Sequence, residues 1–353
     1  MYGKPENDSY EQIRNLFFQR LLSLWVLLCM GNCVLLCHCF PSFSAFLLKL
    51  SLAQVNIPIA VPIWLMIFPM MRKIDFTSIK NVFRKPKPLI LTWIINWAIK
   101  PFTMLGTTYL FLHVFYSGII PADLANDYLI GAVLLGAAPC TAMVFLWSAL
   151  ANGNPAYTLL QVATNDLILP VAYVPMVGIC LGIGGFSIPW LTLLFSIVFF
   201  ILIPLVLATL VRFLVVRKAG VSYREEKVIP KFSPFTTVGL LLILVLLFTM
   251  QSELILENPV HILFIAVPLI LQTFLIYGQS LLGGKLLKLP YEVAAPASFI
   301  GPSNFFELAV AVATSLCPAN PGVALATTVG VLTEVPTMLI LVSIAKPLKR
   351  LFS

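Results

Sequence analysis

Few ionisable side chains lie within the long apolar runs of this sequence, among them Lys100, His113, Asp166, Glu307 and Glu334. Such groups are costly in hydrocarbon and mark ion or substrate paths. Asn96, Gln161, Asn165 and Asn304 accompany them. Glu307 follows Pro302 by about one turn, and Glu334 precedes Pro336 by two residues. Proline removes a backbone donor and breaks or kinks a helix, so both glutamates stand near freed backbone. Pro139, in another apolar run, is followed directly by Cys140 and Thr141. A thiolate is a soft ligand, and a thiol beside an opened turn can meet a small neutral solute with affinity for sulfur. Packing as a small hydrophobe is the alternative for Cys140. For each carboxylate the alternative is to neutralise a buried cation or satisfy freed backbone. Lys100 is the only deep cation, so it accounts fully for at most one of them. His113 lies near the outer end of its run and reads as interfacial.

The elements that must carry these residues follow from composition. Of 353 residues, 60% are hydrophobic and 10% charged, with mean hydropathy +0.99. A soluble domain carries about a quarter charged residues, and runs of about 20 apolar residues span a bilayer as helices. Ten such runs are predicted: 21–40, 50–71, 89–115, 127–150, 156–181, 189–211, 234–254, 259–282, 293–316 and 323–345. The fold class is therefore all-α integral membrane. The net charge of +8 is placed for a bilayer, not for nucleic acid. Lys and Arg cluster before the first run, between Arg72 and Lys87, between Arg212 and Lys231, at Lys285 and Lys288, and at Lys346, Lys349 and Arg350. These become one side when both termini are cytoplasmic, with Lys49 alone outside. The first run has no clear cleavage site at its end and reads as a retained helix rather than a signal peptide.

The second half echoes the first. "GAAPCTAMVFLWSALANGNPAYTLLQVATNDLILPV" and "IGPSNFFELAVAVATSLCPANPGVALATTVGVLTEVPTM" share a small-residue break at Pro139 and Pro302. Each then has an Asn-Pro turn at Pro155 and Pro321, and an acidic residue before a further proline, Pro170 and Pro336. The charge pattern gives the copies opposite orientations, and inverted repeats with broken helices are a signature of secondary transporters. Irregular backbone at membrane depth is tolerated where it lines a cavity, so the breaks read as a site. The boundaries that follow are a cytoplasmic segment 1–20, one transporter domain 21–346 made of repeats 21–181 and 189–346, and a cytoplasmic tail 347–353. The seven cysteines form no disulfide framework. Cys29, Cys33 and Cys37 lie on one helix stripe and read as packing.

At these motifs the chain resembles the arsenite permeases of the bile acid/arsenite/riboflavin transporter superfamily. "GAAPCTAMVFLWSALANGNPAYTLLQVATNDLILP", "FIGPSNFFELAVAVA" and "GVLTEVPTMLILV" carry the likeness, which covers nearly the whole chain. The resemblance implies ten helices in two inverted five-helix repeats, a panel and a core domain, and helices 4 and 9 crossing at their breaks. It implies extrusion of arsenite, As(OH)3, coupled to proton entry. As(OH)3 is uncharged at neutral pH and thiophilic, which suits Cys140. Substrate binding is then expected from Cys140, Asn304, Glu307 and Glu334, and proton coupling from Glu307, Glu334 or Asp166. Asn165, Gln161, Thr141 and Ser303 give polar support at the breaks Pro139 and Pro302, and Asn165 and Asn304 are expected to brace the crossing. Low dielectric favours the neutral form of a carboxyl group, so such a group can load and release a proton.

The rival of the same fold is a sodium-coupled organic anion symporter. Sodium wants several oxygen ligands, and Pro139-Cys140-Thr141 supplies few. A membrane-embedded enzyme is disfavoured, because no zinc-protease, nucleophile-elbow or phosphate-loop motif is present. No cofactor or resident metal is expected. The partners are arsenite, protons and lipid, in the plasma membrane with the vacuolar membrane as the alternative.

Overall fold

The computed structural model describes residues 86–140, 143–182, 259–317 and 320–352, with scattered positions between 28 and 249. The runs predicted at 21–40, 189–211 and 234–254, and the Cys29, Cys33 and Cys37 stripe, therefore lie outside the described residues apart from isolated positions. The run predicted as helix from residue 50 starts differently. Ser51–Leu52 (β1) and Val55–Asn56 (β2) pair antiparallel, Ser51 opposite Asn56 and Leu52 opposite Val55. Ile57 precedes Pro58, and a residue before proline is biased to extended backbone. The fold is mostly rather than wholly α.

The other described elements are helical. Lys87–Phe115 (α1) runs continuously for 29 residues. It is followed by Ala122–Gly136 (α2), Val144–Leu150 (α3), Pro155–Leu181 (α4), Pro259–Leu286 (α5), Tyr291–Ile300 (α6), Phe306–Leu316 (α7) and Pro321–Leu348 (α8). Three of these spans, α1, α5 and the stretch containing α8, are long and apolar enough to cross a membrane. α4 is bent by 67° between Pro155–Leu169 and Val171–Leu181, at Pro170, where a donor is missing. Pro336 breaks nothing, since α8 passes through it.

Most predicted ends agree with these bounds to within a few residues. The largest difference is the start of α2, at Ala122 rather than 127. Pro121 precedes the helix and Asp123 stands in its first turn, where an acid complements the helix dipole. Asp123, outside the predicted run, is in the first turn of the helix.

Small residues let the helices approach closely. A side chain at Gly131 of α2 would run into the Val323 carbonyl and Ala326 of α8, and one at Gly330 would meet Leu135. α2 and α8 therefore touch along a seam where only glycine fits. The basic ends converge on one side. Lys87, Lys288 and Pro290 share one cleft, and Pro290, Lys346, Lys349 and Arg350 share the adjoining one. At the start of α8, Asn320 Nδ2 donates to Asp127 Oδ1 at 2.7 Å.

Candidate functional site

The two helix breaks lie against each other. α2 ends at Gly136, and Pro139 pairs with Asn304 as an isolated antiparallel β-bridge. Phe305 N donates to the Ala138 carbonyl at 2.9 Å, and Cys140 N to the Ser303 carbonyl at 3.3 Å. Backbone groups left outside the helices at each break are thus satisfied by the other, as buried amides must be. Cys140 and Ser303 become neighbours although 163 positions apart. Cys140 is a buried thiol outside any disulfide.

Ser303 is gripped from two sides. Lys100 Nζ donates to its carbonyl at 2.6 Å, and its hydroxyl donates to Glu334 Oε1. Asn304 N and Nδ2 both donate to Glu334 Oε2, at 3.1 and 3.3 Å. The carboxylate of Glu334 therefore serves the break around Pro302, not backbone near Pro336. Lys100 has no exposed surface, so its ammonium and the Glu334 carboxylate are linked through one buried serine.

The chain around Lys100 explains how a lysine in α1 reaches this point. Ile94–Ile99 is a π-turn, and Lys100 N donates to the Ile95 carbonyl, five residues back. The next residue, Pro101, cannot donate, and its ring would crowd an ordinary turn. Widened turns of this kind are frequent at functional sites. Here the turn sets the register from which the Lys100 side chain meets Ser303.

The remaining predicted residues are distributed unevenly. Asn304 braces the crossing through Glu334, and its Oδ1 is a buried acceptor without a partner. Asn165 does not brace it. Its Oδ1 accepts from Asn96 Nδ2 at 3.1 Å and Trp97 Nε1 at 3.0 Å, and its Nδ2 donates to the Gln161 carbonyl at 2.8 Å. Gln161 Nε2 reaches the Pro88 carbonyl at 3.4 Å. Both residues tie α4 to α1, because two polar residues one turn apart on α4 find indole and amide groups on α1. Asp166 is buried next to them, and its Oδ2 accepts no hydrogen bond. Glu307 is the second residue of α7 by its backbone; its side chain and all of Thr141 lie outside the described residues. His113 Nε2 bonds to Asn126 Oδ1 at 2.9 Å in exposed surroundings.

Tyr173 was not singled out from the sequence. Ala138 N bonds to the Leu135 carbonyl instead of Leu134, and the freed Leu134 carbonyl accepts from Tyr173 Oη at 3.0 Å. A tyrosine deep in an apolar span needs a partner for its hydroxyl, and that was the available signal. Tyr173→Phe is expected to lower stability by about 1–3 kcal/mol, because a buried carbonyl is left unsatisfied. Denaturant midpoints of the purified protein check this, and an unchanged midpoint would remove Tyr173 from the support of the break.

Residues 60–258 match the Sodium Bile acid symporter family. The chain is 52% identical to the arsenical-resistance protein Acr3 of Alkaliphilus metalliredigens over 95% of its length and 94% of the relative's. It is 41% identical to an uncharacterized transporter of Synechocystis, covering 93% and 88% of the two chains. Identity to the Acr3 of Corynebacterium glutamicum is 29%, over 92% and 88%. The matched family is described as one of symporters and one relative is named a transporter, which places this chain among transport proteins rather than enzymes, and its apolar helices make it a multi-pass membrane protein. The chain belongs to the Sodium Bile acid symporter family, in the branch that contains the Acr3 arsenical-resistance proteins.

Proposed function

We propose that the protein is a secondary carrier that extrudes arsenite as As(OH)3, with antimonite as a further candidate cargo, from the cytoplasm in exchange for protons. The observation that carries this reading is the position of Cys140, a buried thiol seated on the paired helix breaks. Soft sulfur attracts trivalent arsenic. Asn304 Oδ1, buried and without a partner, is an acceptor suited to an As–OH group on the neighbouring break. Two of the relatives are named for arsenical resistance, which favours the same cargo.

The architecture that goes with this reading is ten spans in two inverted repeats, 21–181 and 189–346, with both termini cytoplasmic and the plasma membrane as location. Rocking one helix bundle past the other would expose the crossing to each side in turn. Proton entry lets the membrane potential drive a neutral cargo, at about 2.3 kcal/mol per charge per 100 mV. Glu307, Glu334 and Asp166 are the candidate proton carriers. The sodium-coupled anion rival is disfavoured at the thiol, which offers no oxygen to a hard cation.

Everted membrane vesicles test the function. Arsenite is expected to accumulate when a proton gradient is imposed, and to leak out when a protonophore collapses it. Uptake that only equilibrates, with or without the gradient, would identify a passive pore and refute the exchange.

A further inference from the structure

Lys100 carries more than a structural role. A fully buried ammonium is expensive, and it persists only when paired and hydrogen-bonded. Here it sits 2.6 Å from the Ser303 carbonyl oxygen, and Glu334 holds the hydroxyl of the same serine. The same break carries the Glu334 carboxylate, which holds the Ser303 hydroxyl, and Asn304 Oδ1, a buried acceptor without a hydrogen-bond partner. All are oxygens, the ligand type that hard monovalent and divalent cations prefer. The oxygen supply missing beside Cys140 is therefore present on the opposite break, and an ammonium has taken it. The family that this chain matches is described as one of sodium symporters.

We propose that the Lys100 ammonium is a tethered cation: it fills the oxygen-lined position at the crossed breaks that a mobile sodium ion would otherwise hold, and so makes this carrier indifferent to sodium. The π-turn ahead of Pro101 is the local device that delivers it there. This inference deepens the transport reading above and rests on it for its meaning, but its central test does not involve arsenite.

The test uses the purified full-length protein in detergent, melted in sodium chloride, potassium chloride and N-methylglucamine chloride at equal ionic strength. The wild type is expected to melt at one temperature in all three. Lys100→Ala uncovers Ser303 O and leaves Glu334 without its counter-charge, so it is expected to melt lower in N-methylglucamine. Sodium at about 0.1 M is then expected to raise that midpoint by roughly 2–4 °C, through binding to the folded state only. Lys100→Ala combined with Glu334→Gln lacks the carboxylate and is expected to lose the sodium response.

Sodium indifference of Lys100→Ala, or a sodium response of the wild type, overturns the proposal. So does an equal response of the double variant, which would place the ion elsewhere. Should Lys100→Ala not be recovered folded, Lys100→Ser, which is too short to reach Ser303 O and adds no charge, carries the same comparison. In vesicles, wild-type arsenite uptake is expected to be unchanged when sodium is replaced, and dependence on sodium overturns the proposal there too. A protein that moves no arsenite at all refutes the cargo, while the melting series still decides the tethered cation.

Discussion

Cys140→Ser and Cys140→Ala are both expected to yield folded protein whose arsenite extrusion falls at least about tenfold, ~1.4 kcal/mol in effective binding. Serine keeps the size of cysteine but loses the soft sulfur. It also places a hydroxyl in a buried position, where an unmet hydrogen bond costs about 1–3 kcal/mol. Alanine brings no such polar group and opens only a small space. The pair therefore separates chemistry from packing. Loss of transport in both, with melting of the alanine variant close to wild type, assigns the sulfur to the substrate. Normal efflux by Cys140→Ala would reduce Cys140 to a packing residue at the bridge between Pro139 and Asn304.

The second large effect is at Glu334. Its carboxylate accepts from the Ser303 hydroxyl and from both nitrogens of Asn304, and Lys100 holds the carbonyl of the same serine. Glu334→Gln leaves a buried ammonium uncompensated, and removing one partner of a buried pair costs about 3–5 kcal/mol. The variant is therefore expected to melt several degrees lower and to lose transport together with stability. Lys100→Met added to Glu334→Gln removes both charges and is expected to recover much of the melting temperature without recovering transport. A Glu334→Gln protein as stable as wild type would show that the carboxylate does not hold the crossing together.

Coupling is better tested at Glu307. Glu307→Gln keeps shape and hydrogen-bonding capacity while removing the titrating group. It is expected to exchange arsenite in vesicles without uphill accumulation and without response to the gradient. Uphill accumulation by both glutamate variants would leave Asp166 as the remaining candidate for the proton.

Helical spans and their breaks were legible in the chain because they are local properties. Apolar runs of bilayer length and prolines that remove donors act on their own neighbourhood, so the helix from Lys87, the helix from Pro259 and the interruptions at Pro139 and Pro302 could be read from order alone. Asn-Pro pairs marked helix starts for the same reason. Asn154 accepts from Ala156 N and Tyr157 N, just ahead of Pro155 at the head of α4. Even locally, the reading failed where two signals competed. Asp123 fell outside the predicted run although Pro121 and the helix dipole place it in a first turn, and Pro170 bends its helix whereas Pro336 does not.

What each polar side chain does was decided only by the tertiary structure. Lys100 and Ser303 are 203 positions apart, and Ser303 and Glu334 are 31 apart; hydropathy and spacing hold no record of such pairings. The sequence determined that one buried lysine must find a carboxylate, because a lone charge in hydrocarbon is untenable. Which carboxylate, and that both would grip one serine at the break, depended on the π-turn before Pro101 and on the glycine seam between α2 and α8. Asn165 makes the same point in reverse. Its type and place suggested the crossing, yet the nearest donors in the folded chain are Asn96 and Trp97 of α1. A buried amide takes whatever partner the packing brings within 3 Å or so, and packing is a property of the whole chain.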